Sequence, residues 1–170
     1  MYPEHLVHPM REELTRLGVE ELRDVSSVDR ALDEAQQGTT LAIVNSVCGC
    51  AAANARPAVA YVRNAENQPD RYVTVFAGQD REATARLRDY LTGIPPSSPF
   101  MVLLRDGDPV FVLERRHIEG RSASAIATDL VAAFDRFCGP EAEASGDGAP
   151  ARPEAAAPSP DLPPTFRSIL

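Results

Sequence analysis

The chain has 170 residues, enough for one domain with a sizeable core, and a formal net charge of −8 at neutral pH. Its longest basic cluster is Arg115-Arg116-His117, which argues against nucleic acid or an anionic membrane as the main partner. Every cation is an arginine, and without a lysine neither Schiff-base chemistry nor a P-loop is available.

The first stretch, Met1 to Leu17, carries Glu4, Arg11, Glu12, Glu13 and Arg16, so it lacks the apolar core of a signal peptide. No apolar run approaches the ~20 residues of a membrane span, and the expected location is the cytoplasm. Leu6, Met10, Leu14 and Leu17 recur at helical spacing, with Gly18 as a stop. A second helix is expected from Ser27 as N-cap through Val28, Leu32 and Ala35, ending at Gly38. Leu41 to Val44 is a short apolar run, rich in β-branched residues, that reads as a buried strand. The alanine-rich stretch after Cys50 favours helix, with Pro57 inside it removing the bond to Ala53 and imposing a kink.

Tyr72 to Phe76 alternates as a strand does, and Asp80 is placed to cap a helix carrying Ala83, Leu87 and Leu91. Ile94 to Pro99 is too rich in proline for regular structure and leads into the strand Phe100 to Leu104. Asp106-Gly107 signals a hairpin to Val110–Leu113. Ser122 then caps a last helix whose apolar face is Ile126, Leu130, Phe134 and Phe137. The order α-α-β-α-β-α-β-β-α implies a right-handed parallel crossover followed by a hairpin. The expected fold is thus α/β, a mixed four-stranded sheet flanked by helices with an N-terminal helical extension. Residues 1–139 form the expected domain. Residues 140–170 are rich in proline, alanine and acid, bury too little apolar surface to order themselves, and read as a flexible tail with Phe166, Ile169 and Leu170 as a weak contact motif.

The stretch that carries chemistry is Asn45-Ser46-Val47-Cys48-Gly49-Cys50, where a strand ends and a helix begins. A helix start offers unpaired N–H groups and partial positive charge, so a thiol there ionises below its usual ~8.5. Cys48, at the first turn, is the better placed of the two, and Gly49 gives the backbone conformational freedom between them. In a reducing compartment a close pair of thiols is more often catalytic or metal-binding than structural. Redox chemistry, a metal pair and two inert small hydrophobes all remain open on the residues alone. Cys138 is the odd thiol of three, expected to be buried and inert, with a regulatory or intermolecular disulfide as the alternative.

The order of elements, with a thiol pair after the first strand, Pro57 in the following helix and Pro99 before the third strand, resembles the thioredoxin fold. A closer resemblance is to the bacilliredoxins. It is carried by Val7-His-Pro-Met-Arg-Glu-Glu-Leu14, Asn45-Ser-Val-Cys-Gly-Cys-Ala51, Ala55-Arg-Pro57, Val73-Thr-Val-Phe-Ala-Gly-Gln-Asp80, Glu82-Ala-Thr-Ala85, Pro96-Ser-Ser-Pro99, Arg116-His-Ile-Glu-Gly120 and the stretch from Ala133 to Cys138. The resemblance covers roughly residues 3–138, and the proline-rich tail departs from the family's usual shorter length. It implies a thiol–disulfide oxidoreductase that removes bacillithiol, or a similar small thiol, from S-thiolated proteins, with weak disulfide isomerase or reductase activity. Cys48 matches the attacking cysteine and Cys50 its partner. Gly49, Ser98 and a cis Pro99 match the substrate-binding surface, where the Ser98 backbone would pair with an extended client. The implied partners are S-bacillithiolated client proteins and the small thiol itself, with no metal and no organic cofactor. The rival readings are a Cys-x-Cys metal-binding protein and a non-catalytic thioredoxin-like interaction module.

Overall fold

A computed structural model describes residues 1–144 and 148–153. In chain order the elements are α1 (Glu4–Thr15), β1 (Glu20–Glu21), α2 (Val25–Glu34), β2 (Thr39–Asn45), a π-helical turn (Ala51–Ala55) running into α3 (Arg56–Val62), β3 (Arg71–Phe76), α4 (Arg81–Tyr90), β4 (Phe100–Arg105), β5 (Asp108–Leu113), α5 (Arg115–Ile118) and α6 (Ala123–Phe137).

The strands form one mixed sheet in the order β1-β3-β2-β4-β5. β2 runs parallel to β3 and antiparallel to β4, and β4 pairs antiparallel with β5. The sheet has five strands rather than the expected four, because Glu20–Glu21 pairs parallel with β3 at Val73 and Thr74. Two adjacent glutamates at a sheet edge carry no apolar alternation, so the sequence gives no strand signal there.

β2 is the buried spine of the molecule. Its alternate side chains feed two cores, as the period of a strand requires. Leu41 and Ile43 face α3 and α6 through Val59, Val62, Leu130 and Phe134. Ala42 and Val44 face α2 and α4 through Val28, Leu32, Ala83 and Leu87. Both sheet faces are thus covered, and the loop after β2 emerges at the end of a rigid element.

Several local expectations need correction. In α1 the buried side chains are Val7, Arg11 and Leu14, while Leu6 is exposed, so the inward face is turned one position from the apolar spacing. A charged residue lies on that face because Arg11 has its own partners: Glu4 at 2.9 Å, Glu21 at 2.6 Å and Asp80 at 2.6 Å. The same ion pair draws the Asp80 carboxylate away from capping α4. α2 is capped by Asp24, whose carboxylate accepts from the Ser27 N–H at 2.7 Å, with Ser27 the returning partner of the capping box. Pro57 is accommodated by the π-helical turn directly before it, where the Arg56 N–H reaches back to the Ala51 carbonyl. The Asp106-Gly107 hairpin is as expected, both residues taking positive φ (49° and 86°) in a two-residue turn.

Within the segment expected to be a tail, Ala151 lies along the open edge of β5. Its N–H donates to the Val110 carbonyl and its carbonyl accepts from the Val112 N–H, both at 2.9 Å. Arg152 meets Glu114 at 3.2 Å. Composition speaks only to whether a segment can build a core; here the edge strand supplies backbone partners that need none. Phe166, Ile169 and Leu170 lie outside the described residues.

Candidate active site

The site is assembled where β2 hands over to a helix. Asn45 ends the strand, and its Oδ1 accepts from the Ser46 N–H at 2.9 Å and from Arg56 Nη1 at 3.1 Å. Its Nδ2 donates to the Met10 carbonyl of α1 at 3.3 Å. Arg56 Nη1 also donates to the Ser46 carbonyl at 3.1 Å, while Nε meets Glu13 of α1 at 2.7 Å. Arg56 is 3 % exposed, so its charge is held inside and distributed over four oxygens, two of Glu13, one of Asn45 and the Ser46 carbonyl. The loop carrying the thiols is thereby clamped between α1 and α3.

Helix begins immediately after it. The Ala51 and Ala52 N–H groups donate to the Cys48 carbonyl at 3.1 and 3.2 Å. The Ala51 N–H also lies 3.3 Å from Cys48 Sγ, and Ser46 Oγ lies 3.2 Å from the same sulfur. Among the described residues, two donors converge on Cys48 Sγ. Cys48 and Cys50 are both half-buried and form a pair, with Cα atoms 5.4 Å apart. Gly49 between them is exposed and does not take positive φ. A Cβ there would meet nothing within 4 Å, so there is open space at Gly49 between the two cysteines.

The second loop of the site comes from the neighbouring strand. Phe100, first in β4, pairs with Val44 of β2, which brings Ser98-Pro99 and Asn45-Ser46 out at the same end of the sheet. The Ser98–Pro99 peptide is cis, Pro99 is buried and Ser98 half-buried. The Ser97 hydroxyl accepts from the Arg115 N–H at 3.2 Å, and Arg115 Nη1 lies 3.5 Å from the Ser98 carbonyl. The apolar hollow beneath this loop, between Val44, Leu91 and Phe100, has a volume of about 10 Å³, the size of one water.

α5 braces both loops. Asn54, in the π-helical turn, donates its amide to the Arg121 carbonyl, tying the cysteine helix to the segment after α5. His117 Nδ1 accepts from the Glu114 N–H at 3.0 Å, which requires a neutral ring. Burial, reinforced by the nearby Arg116, holds the His117 pKa below its usual value. Burial alone would raise the Glu114 carboxyl, but Arg116 and Arg152 outweigh it and hold the group below the ordinary glutamate range.

Cys138 is elsewhere. It caps the C-terminus of α6, half-buried, near Thr39 at the start of β2. Burial pushes its thiol up to about 11. The 7 residues of β2 separate it from the pair by roughly 20 Å, at ~3.3 Å per residue. It takes no part in this site. Among the described residues, no group of three or more His, Cys, Asp or Glu is placed to hold a metal ion.

Sequence reasoning anticipated a close thiol pair and the cis Ser98–Pro99 peptide but not the contacts of Arg56, Glu13 and Ser46. One signal was there: Arg56 is the single charge in the otherwise uncharged run Ala51 to Val62. Asn45 and Asn54 reach across the fold to Met10 and Arg121.

With this geometry in hand, known proteins give a consistent picture. Residues 2–138 match the family model described as disulphide isomerase. A bacilliredoxin of Salinibacter ruber is 60% identical over 169 residues, covering 99% of this chain and 98% of that protein. A bacilliredoxin of Geobacillus kaustophilus is 49% identical over 139 residues, covering 81% and 95%. The Salinibacter match runs through the C-terminal extension, which is therefore not peculiar to this chain. A solved structure described as having a thioredoxin fold superposes with a TM-score of 0.50 at 13% identity, covering 67% of this chain and 93% of that one. Fold and family together define a thiol–disulfide oxidoreductase with a thioredoxin fold. Within that class, the chain belongs to the bacilliredoxin family.

Proposed function

We propose that the protein removes bacillithiol, or a small thiol like it, from S-thiolated client proteins, with Cys48 as the attacking sulfur and Cys50 as the resolving one. The observation that carries this reading is the convergence of the Ala51 N–H and the Ser46 hydroxyl on Cys48 Sγ at a helix start, a setting that favours a thiolate. The names of the relatives support the same thiol chemistry.

In the first step the Cys48 thiolate attacks the bacillithiol-side sulfur of the mixed disulfide. A Cys48–bacillithiol bond forms, the client–bacillithiol bond breaks, and the client departs as a thiolate holding the electron pair. In the second step the Cys50 thiolate attacks Cys48 Sγ, forming the intramolecular disulfide and releasing bacillithiol as its thiolate. The 5.4 Å between Cα atoms lies within the span a disulfide needs. Excess small thiol returns the pair to the reduced state. Ser98-Pro99, at the same end of the sheet, would carry the client's extended segment, and the space over Gly49 would admit its sulfur. Weak isomerase or reductase activity follows from the same two thiols acting on other disulfides. No described helix is long and apolar enough to cross a membrane, and the chemistry belongs in a reducing compartment, the cytoplasm.

The test is release of a bacillithiolated model protein by the reduced enzyme. Cys48→Ala abolishes release, whereas Cys50→Ala still frees the client once and then accumulates the Cys48–bacillithiol adduct. Release at the normal rate by Cys48→Ala would refute the assignment.

A further inference from the structure

We infer that Ser46 is a further catalytic residue, its hydroxyl aimed at Cys48 Sγ so as to hold the negative charge that this sulfur carries during exchange, with Arg56 as the positioning residue behind it. The inference rests on Cys48 being the attacking sulfur.

Three features of Ser46 support it. First, the residue is 7 % exposed, so its hydroxyl is largely shielded from water and needs a protein partner. Among the described residues, the partner of Ser46 Oγ is Cys48 Sγ, 3.2 Å away. Second, both backbone groups of Ser46 are already committed. Its N–H goes to Asn45 Oδ1 at 2.9 Å and its carbonyl receives Arg56 Nη1 at 3.1 Å. The main chain therefore cannot rotate without breaking two bonds, and the side chain is left facing the sulfur. Third, the clamp itself is fixed: Arg56 is anchored on Glu13 at 2.7 Å and Asn45 on the Met10 carbonyl at 3.3 Å.

The energetic consequence follows from how sulfur accepts hydrogen bonds. A disulfide or neutral thiol sulfur is a weak acceptor, whereas a thiolate accepts a charge-assisted bond of roughly twice the strength. A donor pre-aimed at Sγ thus gains most when the sulfur is anionic, which raises the share of Cys48 present as thiolate and ready to attack. The same charge appears when the site is reset. A small-thiol thiolate attacks Cys50 Sγ, a new S–S bond forms there, and the Cys48–Cys50 bond breaks with its electron pair passing to Cys48. A second small-thiol thiolate then attacks its own kind on Cys50, leaving the Cys50 thiolate and a small-molecule disulfide. No proton need move at Cys48 in either event, so the hydroxyl stabilises without being consumed.

The experiment follows iodoacetamide alkylation of the fully reduced, full-length protein against pH, with each cysteine resolved by peptide mass spectrometry. In the wild type Cys48 reacts first, with a midpoint below the ~8.5 of a free thiol. Ser46→Ala raises that midpoint by about one unit, the worth of a lost hydrogen bond to a charged group. Ser46→Thr, which keeps the hydroxyl, stays near the wild-type value. Arg56→Lys, which keeps the charge but loses the fork, shifts the midpoint the same way as Ser46→Ala and adds nothing on top of it. If Cys48 reacts first in the wild type but Ser46→Ala leaves its midpoint in place while the thermal melt is also unchanged, the role of Ser46 is overturned and the attacking cysteine stands. If Cys50 reacts first in the wild type, the reading beneath the inference falls with it.

Discussion

The molecule carries thiols at both ends of β2, and the two ends treat sulfur in opposite ways. At the C-terminal end, Cys48 sits at a helix start, receives the Ala51 N–H and the Ser46 hydroxyl, and has open space beside it at Gly49. At the N-terminal end, Cys138 follows the last turn of α6, where orphan carbonyls disfavour an anion, and burial pushes its thiol up to about 11. The residue type is the same, and so is its half-buried exposure. What differs is the setting: burial raises the Cys138 thiol and the Asp70 carboxylate adds to the shift, whereas two donors converge on the Cys48 sulfur at a helix start.

The largest effect expected from this contrast is in reactivity. With a pKa of about 11, Cys138 holds roughly 300-fold less thiolate at neutral pH than a free thiol of ~8.5. Alkylation of the reduced protein at pH 7 should label Cys48 at least two orders of magnitude faster than Cys138, on the order of that ratio. Cys138→Ser should leave client release unchanged. Equal labelling rates would remove the distinction between the two ends.

A smaller effect sharpens the comparison at the active end alone. Arg56 supports the thiol loop through Asn45, Ser46 and Glu13. Arg56→Gln should cost about 1–3 kcal/mol in urea unfolding, the range for leaving buried polar partners short of a donor. A midpoint indistinguishable from wild type would show that the clamp is dispensable.

The smallest effect is a pH dependence at α5, which braces the loops. His117 must be neutral to accept the Glu114 N–H, and its pKa is lowered in the fold by burial and then by Arg116. The unfolded chain therefore binds the proton first as pH falls. The His117 contribution to stability is present above its unfolded pKa of ~6.5 and is lost as pH drops from there toward the lower folded value. Thermal melts from pH 7 to pH 5 should fall more steeply for the wild type than for His117→Asn. Parallel slopes would show that the ring is not coupled to folding.

Much of the framework was legible from local pattern. The apolar runs at Leu41–Val44 and Phe100–Leu104, the alternation at Tyr72–Phe76 and the Asp106-Gly107 turn mark four strands, and Ser122 caps α6 as expected, accepting from the Ala125 N–H at 3.2 Å. These features depend on near neighbours, which the sequence displays directly. What escaped depends on partners distant in the chain. Arg11 points inward because Asp80, 69 residues away, waits for it, and no helical periodicity reports that. Arg56 lies within a buried face because Glu13 and Asn45 meet it there. β1 consists of two glutamates paired to β3, and Ala151 docks on β5 through backbone alone. In the site, the thiols were readable from Cys-Gly-Cys, but the Ser46 hydroxyl contact with Cys48 was not, since the Ser46 backbone is held by Arg56 from ten residues further along the chain.

The central claim is that Cys48 is the sulfur that receives the small thiol. It is tested most directly by incubating the reduced protein with a bacillithiolated client, quenching with acid after a single turnover and mapping the adduct by peptide mass spectrometry, using Cys50→Ala to hold the intermediate. The bacillithiol mass on the peptide bearing Cys48 is the result expected. In the wild type, the same adduct found instead on Cys50 or Cys138 would contradict the account.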